Sequence, residues 1–68
     1  MSVEKRIKLF LVENDIKQKT LSEATGIDSS KLNMSLNGHR SLTFDEFSLI
    51  IGFLGVQANK FIEPKQTQ

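Results

Sequence analysis

The stretch Gln18-Lys19-Thr20-Leu21-Ser22-Glu23-Ala24-Thr25-Gly26-Ile27-Asp28-Ser29-Ser30-Lys31-Leu32, running on to Leu36-Asn37-Gly38, decides the fold. Glycine is the residue best suited to the positive φ of a helix C-cap, so Gly26 ends a two-turn helix whose inner positions are expected to be Leu21 and Ala24. Two residues on, Asp28 is placed to cap a second helix by accepting an amide hydrogen bond. Leu32 and Leu36, four apart, share that helix's inner face, and Asn37-Gly38 closes it. A short helix, a tight glycine turn and a second short helix fix two axes at a steep angle, the geometry of a helix-turn-helix.

Upstream, the apolar spacing predicts a helix from about Ser2 to Glu13, with Val3, Ile7, Phe10 and Leu11 on one stripe. Asn14 and Asp15 end it, because both residue types tolerate left-handed backbone. Downstream, Thr43 as N-cap and Glu46 three residues later form a capping box, with Leu42 placed to staple onto Phe47. Phe44, Phe47, Ile50, Ile51 and Leu54 are expected on the core side of that helix before Gly55 stops it. A last turn over 57–62 is expected to return Phe61 and Ile62 to the core ahead of Pro64. The expectation is all-α: one domain over residues 1–63, a compact bundle of about five short helices, followed by a polar C-terminal tail over 64–68.

A chain of 68 residues holds one core, and its 38% hydrophobic and 25% charged residues fit an ordinary globular domain. No run is long enough to span a bilayer, so no membrane association is expected and a cytoplasmic location is. There is no cysteine and one histidine, so disulfides, thiolate chemistry and a zinc site are not expected, nor is any cofactor or metal. No nucleophile elbow or paired acids point to catalysis, and a chain this short has little room for a small-molecule pocket, so no enzyme is expected. Net charge is +1; residues 1–40 carry seven basic and five acidic side chains, and residues 41–68 carry two and three.

The segment from Gln18 to Ile27, then Ser30-Lys31-Leu32, then Leu36-Asn37-Gly38-His39-Arg40 resembles the phage-repressor (Cro/CI, XRE-like) helix-turn-helix DNA-binding domain. The later Leu54-Gly55-Val56 and Phe61-Ile62 are similar to that family's fourth and fifth helices, so the resemblance spans about residues 3–62. It implies a lambda-repressor-like fold and sequence-specific binding to double-stranded DNA. Three positions depart from the pattern. Lys17 stands where a Ser or Thr cap is usual, Ser35 where an apolar residue is common, and Met34 where a long polar or basic residue often reads a base.

The resemblance implies that the N-terminal half of the third helix enters a major groove, making Ser29, Ser30, Asn33 and Met34 the base-reading candidates. Serine can bond several base edges, asparagine can pair bidentately with adenine, and methionine can cover a thymine methyl. The plainer alternatives are that both serines are good first-turn residues and that Met34 fills a core gap. Backbone phosphates are implied for Gln18 at the start of helix two, for Lys31, and for Asn37, His39 and Arg40 in the following loop. Against these stand an exposed amide, an exposed helical lysine, an ordinary C-cap and a solvated imidazole.

Leu49 and Phe53 fall on the far side of the helix that follows Thr43, and Leu9 and Val12 fall off the stripe of the first helix. A homodimer through Leu49, Gly52 and Phe53 is one expectation, since a two-fold pair doubles the phosphate contacts of a weakly basic chain. The leading function is therefore a DNA-binding transcription regulator of phage or bacterial type that occupies an operator as a dimer. The alternative is a protein-binding module on the same scaffold: an antirepressor, an antitoxin component or an inhibitor.

Overall fold

The computed structural model describes residues 2–62, and the expected domain limit and polar tail at 63–68 lie outside them. Four α-helices follow in order: α1 (Val3–Glu13), α2 (Gln18–Thr25), α3 (Ser29–Leu36) and α4 (Phe44–Leu54), then a 3₁₀ turn at Ala58–Lys60. No strand occurs among the described residues. The segment expected to supply a fifth helix is thus a single 3₁₀ turn. Gly55 ends α4, Phe61 is drawn into the core, and the chain between them is too short for more.

Local chemistry sets most boundaries. Ser2 Oγ accepts from the Lys5 amide to open α1, and both the backbone N–H and Nδ2 of Asn14 donate to Phe10 O to close it. Asp15 follows with φ +55°, the left-handed turn its residue type tolerates. Gly26 caps α2 at φ +77°, and two side chains stitch the turn there. Ser22 Oγ donates to Ile27 O (2.6 Å) and Thr25 Oγ1 to Leu21 O (2.7 Å). Asp28 Oδ2 then accepts from the Ser30 and Lys31 amides, so α3 starts where the sequence places its cap.

The core is Ile7, Leu11, Leu21, Ile27, Leu32, Leu36, Ile50 and Phe61, with Val3, Phe10, Ile16, Leu42, Phe47, Ile51, Leu54 and Val56 packed around it. Helix α2 packs on α3 and α4, and α1 packs on α3, so α3 is held from two sides. Each fully buried aliphatic residue contributes about 1.5–3 kcal/mol, and with no cross-link these residues supply the cohesion. Phe10 and Phe61 meet edge to face at 5.5 Å, tying the end of the described chain back to α1.

Three expected core positions lie outside it. Phe44 is 79% exposed, because the six residues separating it from buried Ile50 turn it about 120° away from the core line. Ala24 is exposed because the inner side of α2 runs through Leu21, Ser22 and Thr25. Ile62 is 48% exposed: it directly follows Phe61, and Phe61 fills the available space.

Candidate nucleic-acid interface

Helix α3 buries Leu32, Ser35 and Leu36 and leaves Ser29, Ser30, Lys31, Asn33 and Met34 exposed. Met34, at 47% exposure, does not fill a core gap. Its carbonyl accepts from the His39 amide (2.8 Å), holding the start of the following loop against the helix while the His39 side chain stays exposed.

A line of hydrogen bonds crosses this face and joins three helices. Lys8 Nζ of α1 donates to Asn37 Oδ1 (2.6 Å), Asn37 Nδ2 donates to Asn33 O (3.0 Å), and Asn33 Nδ2 donates to Gln18 Oε1 at the start of α2 (3.3 Å). Three of the expected contact residues, Gln18, Asn33 and Asn37, are brought together by it. An amide nitrogen carries two hydrogens, so Asn33 keeps one N–H and its carbonyl oxygen for a further partner.

Beside Gln18, the start of α2 is chemically open. Lys17 occupies the N-cap and makes no side-chain cap bond, so the first-turn amides have no acceptor from that residue. Lys17 and Lys19 are both exposed there, adding positive charge to the positive end of the helix. An anion at that end would meet backbone donors and ammonium groups together.

Arg40 is engaged elsewhere. Its guanidinium bonds both carboxylate oxygens of Glu46 (Nη1 to Oε1 at 3.0 Å and Nη2 to Oε2 at 2.9 Å), and Nη1 also donates to Ser35 Oγ at 2.9 Å. The bidentate bond from Arg40, followed by the bond from the Thr43 amide, lowers the Glu46 pKa to about 2, and the same pair raises that of Arg40. This accounts for Ser35, fully buried where an apolar residue is common: its hydroxyl is an acceptor for the arginine that braces the loop between α3 and α4. The resemblance implies a phosphate contact for Arg40, whereas here Glu46 and Ser35 engage its guanidinium. Its partner lies six residues further on, in another element.

The reverse holds for Lys5 and Lys8, to which neither the sequence pattern nor the resemblance assigns a role. Their three-residue spacing on α1 was a visible signal of a shared face, but only the fold sets that face beside Asn37, 29 residues from Lys8. On α4, Leu49 (51%), Gly52 and Phe53 (44%) are exposed on the outer side, forming a separate apolar strip. Among the described residues no group of His, Cys, Asp or Glu side chains suits a metal, and no helix is long and apolar enough to cross a membrane.

Comparison with known protein families, with curated proteins and with solved structures returns no match in any of the three.

Proposed function

We propose that this chain is a sequence-specific double-stranded DNA-binding transcription regulator with a lambda-repressor-like fold, its α3 entering the major groove. The observation that carries this reading is the hydrogen-bonded line from Lys8 through Asn37 and Asn33 to Gln18, which pre-orients polar side chains around an exposed α3. Ser29, Ser30, Asn33 and Met34 read base edges, and Asn33 uses its remaining N–H and carbonyl oxygen on adenine. Gln18 with the open end of α2, Lys31, Asn37 and His39 meet phosphates. Arg40 braces the loop that presents Asn37 to His39. The chain works by occupancy rather than catalysis, without a cofactor, in a bacterial or phage-infected cytoplasm. Two copies joined through Leu49, Gly52 and Phe53 read half-sites about one helical turn apart.

An amide NMR titration with a mixed-sequence DNA duplex at low salt tests this. Shifts are expected at Gln18, at residues 29–34 and at 37–39, and they should vanish as salt is raised. Absence of shifts on this face overturns the reading.

A protein-binding role on the same scaffold is favoured by one feature, the exposed Phe44, Leu49 and Phe53 on α4. Under that reading Phe53→Glu abolishes function while Lys31→Ala is silent. Under the DNA reading Lys31→Ala lowers the salt slope by about one unit, and Phe53→Glu converts dimer to monomer in sedimentation.

A further inference from the structure

Beyond Asn37, on the side of the recognition face away from Gln18, the surface falls into a recess of about 320 Å³ lined by Ser2, Lys5, Lys8, Leu36, Asn37 and Gly38. We propose that Lys5 and Lys8 form a second phosphate clamp, which takes a phosphodiester group of the DNA backbone into this recess. The proposal rests on the DNA-binding reading and extends it to residues of α1.

Four observations carry it. First, neither lysine is paired with a carboxylate among the described residues, in contrast to Arg40. Second, their three-residue spacing puts two like charges on one helix face, an arrangement mildly unfavourable in the free protein that an anion between them relieves. Third, Lys8 is already aimed: Asn37 Oδ1 accepts one of its three hydrogens, Asn37 is itself anchored to Asn33 O, and two hydrogens of the ammonium remain for phosphate oxygens. Fourth, the far wall is Gly38 at φ +84°, a conformation that side-chain-bearing residues rarely adopt, so the wall carries no side chain to close the recess.

The placement is equally informative. The open start of α2 lies at one end of the hydrogen-bonded line and Lys8 at the other, with Asn33 between them. Phosphate contacts at both ends fix the register and tilt of α3 in a groove, whereas one contact fixes only a point. This also gives a chain of net charge +1 a local source of affinity, because Lys5 and Lys8 line the same recess.

The test is the salt dependence of binding to a mixed-sequence DNA duplex, by fluorescence anisotropy, for the wild-type chain, Lys5→Gln, Lys8→Gln and Lys8→Arg. Each Gln variant is expected to lower the slope of log affinity against log salt by about 0.9, and Lys8→Arg to retain the wild-type slope. Thermal melting should show every variant folded at the temperature of the titration, Lys5 being exposed and Lys8 half-buried at the edge of the recess. The Lys8 ammonium resonance should shift on adding the duplex and not on adding inorganic phosphate at the same phosphate concentration. If the wild-type chain binds the duplex but both Gln variants keep its slope, the clamp is wrong and the DNA-binding reading survives. An equal shift with inorganic phosphate also overturns the clamp, making the recess a free-anion site. If the wild-type chain binds no duplex, both fall together.

Discussion

At the start of α4, Thr43 Oγ1 accepts from the Glu46 amide, Glu46 Oε1 accepts from the Thr43 amide, and Arg40 closes over both carboxylate oxygens. At the start of α2, Lys17 offers no acceptor, and the neighbouring charges are positive. The two ends are built from the same backbone geometry with opposite chemistry. One satisfies its donors within the chain and joins a loop to a helix; the other has no side-chain cap. The cations divide the same way, Arg40 being neutralised internally while Lys8 is only oriented, by an uncharged amide. On the proposed reading, a helix end or a cation serves DNA binding according to what it leaves unsatisfied, not according to residue type.

Opening the sealed end of α4 carries the largest expected effect. Glu46→Ala removes the charged partner of Arg40 and half of the capping box, and is expected to lower stability at pH 7 by about 2 kcal/mol in urea melts. The variant's DNA affinity should fall through the loosened loop at residues 37–40, while its amide shifts at α2 stay unchanged.

The same carboxylate predicts an acid limb. Its folded pKa of about 2 lies below the ordinary value of 4.5, so the pair's contribution is complete above about pH 4.5 and is lost as pH falls towards 2. Urea melts across that window should show a shallower decline for Glu46→Gln than for the wild-type chain. Equal slopes would mean that another group controls acid unfolding.

Thr43→Ala should cost about 1 kcal/mol, with DNA affinity unaltered once the protein is folded. The mildest change sharpens the contrast from the other side. Lys17→Ser gives α2 the cap it lacks, and is expected to add about 0.5 kcal/mol of stability while weakening DNA binding. If stability and binding both rise, the open end of α2 is not a phosphate site.

Phe44, Arg40 and Lys8 mark where the sequence stopped being legible. Phe44 reads as core because its neighbours Phe47, Ile50 and Ile51 are apolar, yet an amphipathic pattern fixes the buried direction only to within a fraction of a turn, and the first residue of α4 swings out of it. Arg40 and Lys8 are indistinguishable as surface cations in one dimension. Their fates depend on Glu46 and Asn37, which the fold brings near. The resemblance implies Gln18, Asn33 and Asn37 as contact residues, and only the fold joins them by hydrogen bonds.

By itself, the sequence determined most helix boundaries, because caps and breakers act over three or four residues: Asn14, Gly26, Asp28, the Thr43–Glu46 box and Gly55 each set a boundary through bonds to their own neighbourhood, whereas α2 starts at Lys17 without a side-chain cap. It determined most of the core as well, through the helical period. Tertiary structure alone decided which charges are neutralised and which stay available, because a charge is quenched by whatever lies within about 4 Å of it. That distance is set by packing, not by order along the chain.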